Sequence, residues 1–483
     1  MHREPATLED LAARVGGTIT GDPEVPIGDV VHDSRAAAPG VLFVAIRGFT
    51  VDGHRFVDEA LAAGAAVCVE EHPSKGPALI VADTRAAIGP LAAEVHGRPS
   101  EQRAVVGITG TNGKTTVTHM LESIVLAAGL RPGLVGTVGA RIGGEPVAVE
   151  RTTPEASDFQ RLLARMVAAG VHVAAVEVSS HALALGRVGG TVFEMAAFTN
   201  LSQDHLDFHG TMEEYERTKR RLFLPGTARR AVVWIDAPAG ARLAATTELP
   251  LVRVGWDADA DVTAVDVELG LDGSRFTVRG RTGDAEVRLP LAGDFNVANA
   301  LIAAACAAEL GLGADSISAG LERVPVVPGR FETVDVGGDV TVVVDYAHTP
   351  DGVTAVVGAA RRLVGRGRVI VVIGAGGDRD RAKRPLMGRA AAMADVAVLT
   401  SDNPRSESPE AILADVAAGA EGGPGAVMQE VDRRAAIRLA LATAEPGDVV
   451  LVLGKGHEQG QQFADRTIPF DDRTVVREEA PLR

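Results

Sequence analysis

The segment Gly110-Thr111-Asn112-Gly113-Lys114-Thr115-Thr116 combines the residue types needed to wrap a polyphosphate. Glycines let backbone N–H groups face an anion, a lysine can reach the outer phosphates, and a threonine hydroxyl can hold Mg²⁺. The spacing misses GxxxxGK[ST] by one position, because Ile108 stands where the first glycine would be. An ordinary glycine-rich turn is the plainer alternative. The apolar run 105–109 before the segment and the helical pattern 115–128 after it favour a phosphate loop, with ATP as the ligand.

Two further groups follow apolar runs: Glu177-Val178-Ser179-Ser180-His181, and Thr199-Asn200-Leu201-Ser202-Gln203-Asp204-His205. In a parallel sheet, ligands bind outside the carboxyl ends of the strands. Glu177 and His205 can therefore converge beside the phosphate loop as a metal pair, whereas each alone reads as a structural residue. Lysine is scarce: of 48 basic residues only Lys75, Lys114, Lys219, Lys383 and Lys455 are lysines. Arginine stays charged, while a lysine amine can lose its proton and react, so a retained lysine can mark chemistry. Lys219 lies on a polar stretch that would otherwise read as a solvated helix face.

Such groups need a scaffold. At 483 residues, about three domains are expected. The net charge of −16 argues against a broad nucleic-acid surface but not against an anionic small ligand held by a local cluster. Two cysteines, Cys68 and Cys306, cannot form a disulfide framework and suit a reduced, cytoplasmic setting. The first residues lack the apolar stretch of a signal peptide, and no apolar run approaches the roughly 18–20 residues of a membrane span. A protein that neither inserts in membranes nor binds nucleic acid is expected.

Residues 1–101 read as a small α/β domain: a helix over 7–15, short β runs at 41–46 and 65–69, and dense turn chemistry between them. From 102 to 328, apolar strands (105–109, 171–178, 196–199, 231–235) alternate with helices (115–128, 159–169, 212–224), as a parallel sheet covered on both faces requires. The stretch 250–295 alternates in short runs and is expected to form an antiparallel appendage before an Ala-rich helix over 297–310. Residues 329–483 repeat the strand–helix rhythm, with strands at 341–345, 369–373, 396–400 and 449–453 and helices at 383–394, 409–418 and 432–443. The fold class is thus α/β in three domains.

Nine motifs occur in order: GTNGKTT (110–116), EVSSH (177–181), FTNLSQDHLDFHG (198–210), GDFNVANA (293–300), VPGRFE (327–332), VDYAHTP (344–350), GGDRDRAKRP (376–385), SDNPRSE (401–407) and GKGHE (454–458). Together they resemble the Mur ligases, in the branch that adds diaminopimelate, from Asp33 to about residue 470. The resemblance implies a UDP-binding first domain, a central P-loop-type ATPase domain and a Rossmann-like C-terminal domain that selects the amino acid. It implies ATP-dependent joining of meso-diaminopimelate to UDP-N-acetylmuramoyl-L-alanyl-D-glutamate through an acyl phosphate, with Mg²⁺. That reaction belongs to peptidoglycan precursor synthesis, and so to cell shape and division. A monomer is expected.

Carried over residue by residue, the resemblance assigns Ser34 of Asp33-Ser34-Arg35, Thr152, Thr153, Ser179 and Arg187 to the UDP-linked substrate. It assigns Gly110 to Thr116, Asn296, Asn299, Arg330, Asp345 and His348 to ATP, with His348 against adenine or ribose. Thr115, Glu177, His205 and Lys219, the last as a carbamate, fall to the metal. Lys114, Lys219, Glu177 and His205 fall to catalysis. Asn296 and Asn299 read alone could equally cap a helix. Arg379, Asp402, Asn403, Pro404, Arg405, Gly454 and Glu458 are assigned to diaminopimelate. A second carboxylate on that amino acid suits the Arg405 fork, and Glu458 suits its distal ammonium. Phe49, Thr50, Arg151 and Leu185 depart from the family's pattern.

Two alternatives remain at this level. One is a sister ligase on the same scaffold, adding lysine or LL-diaminopimelate or acting as a folylpolyglutamate synthase. The other is a non-catalytic ATP-binding scaffold for cell-wall assembly. The DSR-containing first domain and Arg405 weigh against most sister ligases, and intact Lys114, Glu177, His205 and Lys219 weigh against a scaffold.

Overall fold

A computed structural model describes residues 4–48, 51–71, 73, 75–257 and 259–480; Phe49 and Thr50 lie outside the described residues. Among the described residues, the three largest sheets follow one another along the chain. The first has five strands, in the order Thr18–Thr20, Ala78–Ile80, Ala66–Val69, Val41–Val44, Asp29–Val31, parallel except for the first. Its opening helix, Leu8–Val15, is set by a reciprocal cap between Thr7 and Asp10 and ends at Gly16 with φ 69°.

The central sheet has eight strands. Ala104–Thr109 lies between Val173–Glu177 and Met195–Phe198, with Pro132–Gly136 beyond the former and Ala231–Trp234 and Leu251–Val254 beyond the latter, all parallel. Buried Val, Ile and Ala dominate these strands because helices cover both faces. A hairpin, Gly139–Ile142 and Glu145–Val147, adds two antiparallel edge strands.

The appendage is narrower than the alternation suggested. Only Thr263–Gly270, Gly273–Arg279 and Ala285–Leu289 form the antiparallel sheet, whereas Leu251–Val254 joins the parallel one. Arg253 faces solvent between buried Val252 and Val254, so an edge strand with one wet face mimics an antiparallel pattern. The Ala-rich helix runs Asp294–Glu309.

The third sheet is ordered Glu332–Val334, Thr341–Asp345, Val449–Leu453, Val369–Ala375, Val396–Ser401, Ala426–Gln429, parallel apart from its first strand. Helices Pro350–Leu363 and Pro409–Ala420 each begin with proline after a capping Thr349 or Ser408, where the missing N–H costs nothing. The first and central sheets are joined by helix Thr84–Val95 against Ala156–Ala168. There Arg161 grips Asp29 at 3.1 Å, and Gly89 lies so close to Gly189 that a Cβ would sit 2.4 Å from its carbonyl oxygen.

Candidate active site

The phosphate loop follows the buried strand Ala104–Thr109 and opens helix Lys114–Ala127. Gly110 has φ 151°, and a Cβ there would lie 1.9 Å from the Thr199 hydroxyl; at Gly113, with φ 87°, it would lie 2.4 Å from Asn299 Oδ1. Neighbouring elements thus require both glycines. Lys114 Nζ folds onto its own loop, donating to Gly110 O at 2.9 Å and Thr111 O at 2.8 Å. Asn112 N donates to Asn200 Oδ1 at 2.9 Å, tying the loop to the next strand's end.

Thr115 is the junction of the site. Its hydroxyl donates to Glu177 Oε2 at 3.0 Å and accepts from an Arg330 terminal nitrogen at 3.0 Å. Glu177 is fully buried and also accepts from Thr137 N at 2.9 Å and Thr137 Oγ1 at 3.0 Å. Thr137 carried no motif signal, since it sits between strands rich in glycine. Thr153 donates to Glu177 O at 2.7 Å, and Thr152 contacts Thr137 at 3.1 Å.

Two cavities open from this junction, sharing Asn112, Gly113, Thr115, Arg330 and Tyr346 as walls. The first is also lined by Thr116, Asn296, Asn299, Asp345 and both tryptophans of the chain. Trp234 and Trp256 meet edge to face at 5.7 Å, and Trp256 keeps 38% of its surface exposed. The capping alternative for the asparagines does not hold. Gly293 is the N-cap, Asn296 Nδ2 donates back to Ala292 O at 2.8 Å, and Asn299 Nδ2 to Asn296 Oδ1 at 3.3 Å. Asp345 spends both carboxylate oxygens on backbone, accepting from Phe331 N and Ala347 N at 2.7 Å each, so it holds the linker; burial raises its pKa.

The second cavity gathers Lys114, Thr152, Thr153, Glu177, Ser179, Arg187, His205, His348 and Arg379. Arg187 pairs with Glu155 at 3.0 Å, as does Arg151. His348 therefore lies on this side, and not beside Asn296 and Asn299. Its Nε2 is 3.4 Å from Asp204 Oδ2, because Asp204 is buried between His205, His348 and Lys383. Burial pulls the Asp204 pKa up, but the bond from His348 and the neighbouring cations outweigh it and leave it well below the usual range. Burial drives the His205 pKa down to about 3, leaving a neutral imidazole.

Lys219 is fully buried; its Nζ donates to Gly110 O at 2.8 Å and lies 4.5 Å from the Tyr215 ring centre. Burial first, and Lys114 second, push its pKa well below that of a free lysine. Of the five lysines, only Lys75 is exposed; Lys219, Lys383 and Lys455 are buried and Lys114 is half-buried.

The loops after the third sheet form their own cluster. Lys455 Nζ donates to Asn403 Oδ1 at 3.0 Å and Glu458 Oε2 at 2.8 Å, and Asn403 Nδ2 donates to the same Glu458 oxygen at 2.8 Å. One Glu458 oxygen is thus already committed inside the protein. Arg405, at φ 52°, donates to Gly377 O at 2.6 Å and Gln462 Oε1 at 3.2 Å. A Cβ on Gly377 would lie 1.9 Å from Pro404 O, and one on Gly454 2.7 Å from Asp402 Oδ2, so these glycines let the loops close on each other. Only Arg379 of this set faces the second cavity. Ser34 lies in a single turn, Ser34–Ala36, capped by Asp33, and lines neither cavity. Among the described residues, no three His, Cys, Asp or Glu side chains are gathered as a metal cage.

Three family models match consecutive stretches: the Mur ligase family catalytic domain at 26–101, the Mur ligase middle domain at 108–307, and the Mur ligase glutamate ligase domain at 329–456. The UDP-N-acetylmuramoyl-L-alanyl-D-glutamate--2,6-diaminopimelate ligase of Streptomyces avermitilis is 46% identical over 99% of this chain and 97% of its own. The protein of that name from Streptomyces coelicolor is 48% identical over 98% and 96%. A solved structure with the same name matches at TM-score 0.70 and 30% identity, covering 99% of both chains. Mycobacterium tuberculosis folylpolyglutamate synthase, solved with ADP and AMPPCP, shares the fold at TM-score 0.62 and 22% identity over 77% of this chain and 92% of its own.

Proposed function

Because the chain belongs to the Mur ligase family, we propose that it joins meso-diaminopimelate to UDP-N-acetylmuramoyl-L-alanyl-D-glutamate at the expense of ATP. It is an ATP-dependent amide ligase. The observation that carries the reading is the Thr115 junction, where one hydroxyl links Arg330 and Glu177 at the wall common to two cavities. A phosphoryl donor in the first and a carboxylate acceptor in the second would meet there.

A carboxylate does not accept an amine at neutral pH without a leaving group. The D-glutamate side-chain oxygen attacks the γ-phosphorus and ADP departs, leaving an acyl phosphate. The diaminopimelate amine then attacks the carbonyl carbon, the C–O bond breaks, and phosphate and a proton are released. Lys114 and Arg330 are read as the cations that meet the negative charge spreading over the transferring group, and fixed cations there lower the barrier. Asn296, Asn299 and the tryptophan pair are read as the base and ribose end. Thr152, Thr153, Ser179 and Arg187 are read as the grip on the sugar peptide, with Ser34 serving the uridine end. Residues 1–101, 102–328 and 329–483 are taken as the three domains.

The donor set fits Mg²⁺. Thr115 and Glu177 present hard oxygens 3.0 Å apart, and neutral His205 lines the same cavity. Mg²⁺ commonly takes one or two protein ligands and completes its shell with phosphates and water, so no protein cage is needed. When bound, the ion would neutralise phosphate charge. Burial pulls the Lys219 pKa well below that of a free lysine, which favours the unprotonated amine that carbamylation requires; a carbamate there would turn a cation into an anionic ligand. Arg405 and Arg379 are read as binding the distal carboxylate, and the uncommitted Glu458 oxygen as meeting the distal ammonium.

An ¹⁸O label in the D-glutamate side-chain carboxylate tests the route. One labelled oxygen in the released phosphate is expected; unlabelled phosphate would rule out the acyl phosphate.

A further inference from the structure

Arg433 opens helix Arg433–Thr443 and is fully buried against Asp472, the first residue of helix Asp472–Glu479. Its Nε and one terminal nitrogen hold the two Asp472 oxygens at 2.8 and 2.7 Å. The guanidinium reaches further. That same terminal nitrogen donates to Leu453 O at 2.9 Å, and the other to Ser401 O at 3.4 Å.

These carbonyls end the strands Val449–Leu453 and Val396–Ser401, which are not neighbours, since Val369–Ala375 runs between them. The next residues are Gly454 and Asp402, where the two loops of the proposed amino-acid site begin. The loops meet through Lys455, Asn403 and Glu458 at 2.8–3.0 Å, a geometry that tolerates little drift between the strand ends. A buried ion pair adds little to stability compared with an apolar pair of the same shape, so anchoring a helix does not by itself call for one. A planar fork serving four acceptors on two strands and a helix does call for arginine, and an ammonium cannot reproduce it.

We propose that Arg433 is a positioning residue for amino-acid selection: by tying the ends of the strands that flank Val369–Ala375, it sets the spacing between the Asn403–Arg405 and Lys455–Glu458 loops. The proposal rests on reading those loops as the diaminopimelate site. Arg433 itself is buried; its charge also faces Asp402 and Glu458, and Arg433→Lys keeps that charge while removing the fork, so the variant isolates the tie to the two carbonyls.

Steady-state kinetics of full-length Arg433→Lys test it, with each substrate varied in turn. The wild-type enzyme must first saturate with diaminopimelate; if it uses no amino acid, the underlying reading fails and this proposal with it. The folded variant is expected to raise the KM for diaminopimelate at least tenfold, with the KM values for ATP and the UDP-linked substrate within twofold of wild type. An unchanged diaminopimelate KM, or a uniform rise in all three, would overturn the proposal. Asp472→Asn decides the matter if Arg433→Lys does not fold. It removes neither Arg433 nor the two carbonyls, so a lower Tm with a diaminopimelate KM within twofold of wild type is expected. A tenfold rise in that KM would contradict the proposed role.

Discussion

Asp204 and Lys383 form an ion pair at 3.2 Å, both buried, across the gap between the central and C-terminal sheets. Beside it, Gln203 donates to Asp380 at 3.0 Å, and His348 reaches the other Asp204 oxygen. These contacts hold the two halves of the cleft together. Removing one partner of a buried pair costs about 3–5 kcal/mol, because the remaining charge is stranded. Here the cost falls on the closed arrangement. Lys383→Met is therefore expected to lower kcat at least tenfold and to enlarge the radius of gyration in small-angle scattering. Wild-type values of both would show that the pair does not hold the cleft shut.

Lys219→Ala is expected to lose most activity and to regain part of it with added short-chain carboxylates, which can stand in for a carbamate. Lys219→Arg should be inactive and beyond rescue, since a guanidinium stays charged and forms no carbamate. Near-full activity of the alanine variant without additives would remove the carbamate from the account.

Tryptophan fluorescence provides a direct view of the nucleotide cavity, because both tryptophans line it. ADP titration is expected to change the emission saturably. In Trp256→Phe the change should shrink, since the more exposed partner of the pair is gone. An unaltered spectrum at saturating ADP would place the base elsewhere.

Much of this was legible from residue types. The phosphate loop, Glu177 and two of the scarce lysines, Lys114 and Lys219, are residues the structure brings together, and the helix and strand starts read from the sequence fell within a few residues of the structure. What sequence could not supply was the side of the cleft a residue faces. His348 turns toward Asp204 rather than the asparagines because a buried carboxylate 144 positions earlier in the chain attracts it. Thr137, Trp234 and Trp256 gave no signal because their roles come from strands brought together only in the sheet. Leu251–Val254 read as antiparallel because one wet face suffices to make any edge strand alternate.

Asp29 offers a test of the contact between the first and central sheets. Burial raises its pKa, but the His96 ring nitrogen 3.2 Å away and the bonds from Arg161 more than offset this and bring it to about 2, below the ordinary 3.8. A carboxylate whose folded pKa is depressed stabilises the fold fully above its unfolded pKa, and that contribution is lost as pH falls toward the folded value. Wild-type Tm should therefore drop between about pH 4 and pH 2 more steeply than that of Asp29→Asn. Parallel curves would show that the ionised carboxylate does not help to join the two sheets.

Phosphate release from ATP with UDP-N-acetylmuramoyl-L-alanyl-D-glutamate present reads out selection of the amine. meso-Diaminopimelate, LL-diaminopimelate and L-lysine are supplied in turn to the wild-type enzyme and to Arg405→Ala. Release with meso-diaminopimelate alone is expected in the wild type, and a preference eroded at least tenfold in the variant. Release with lysine alone, or with no amine at all, would contradict the proposed function.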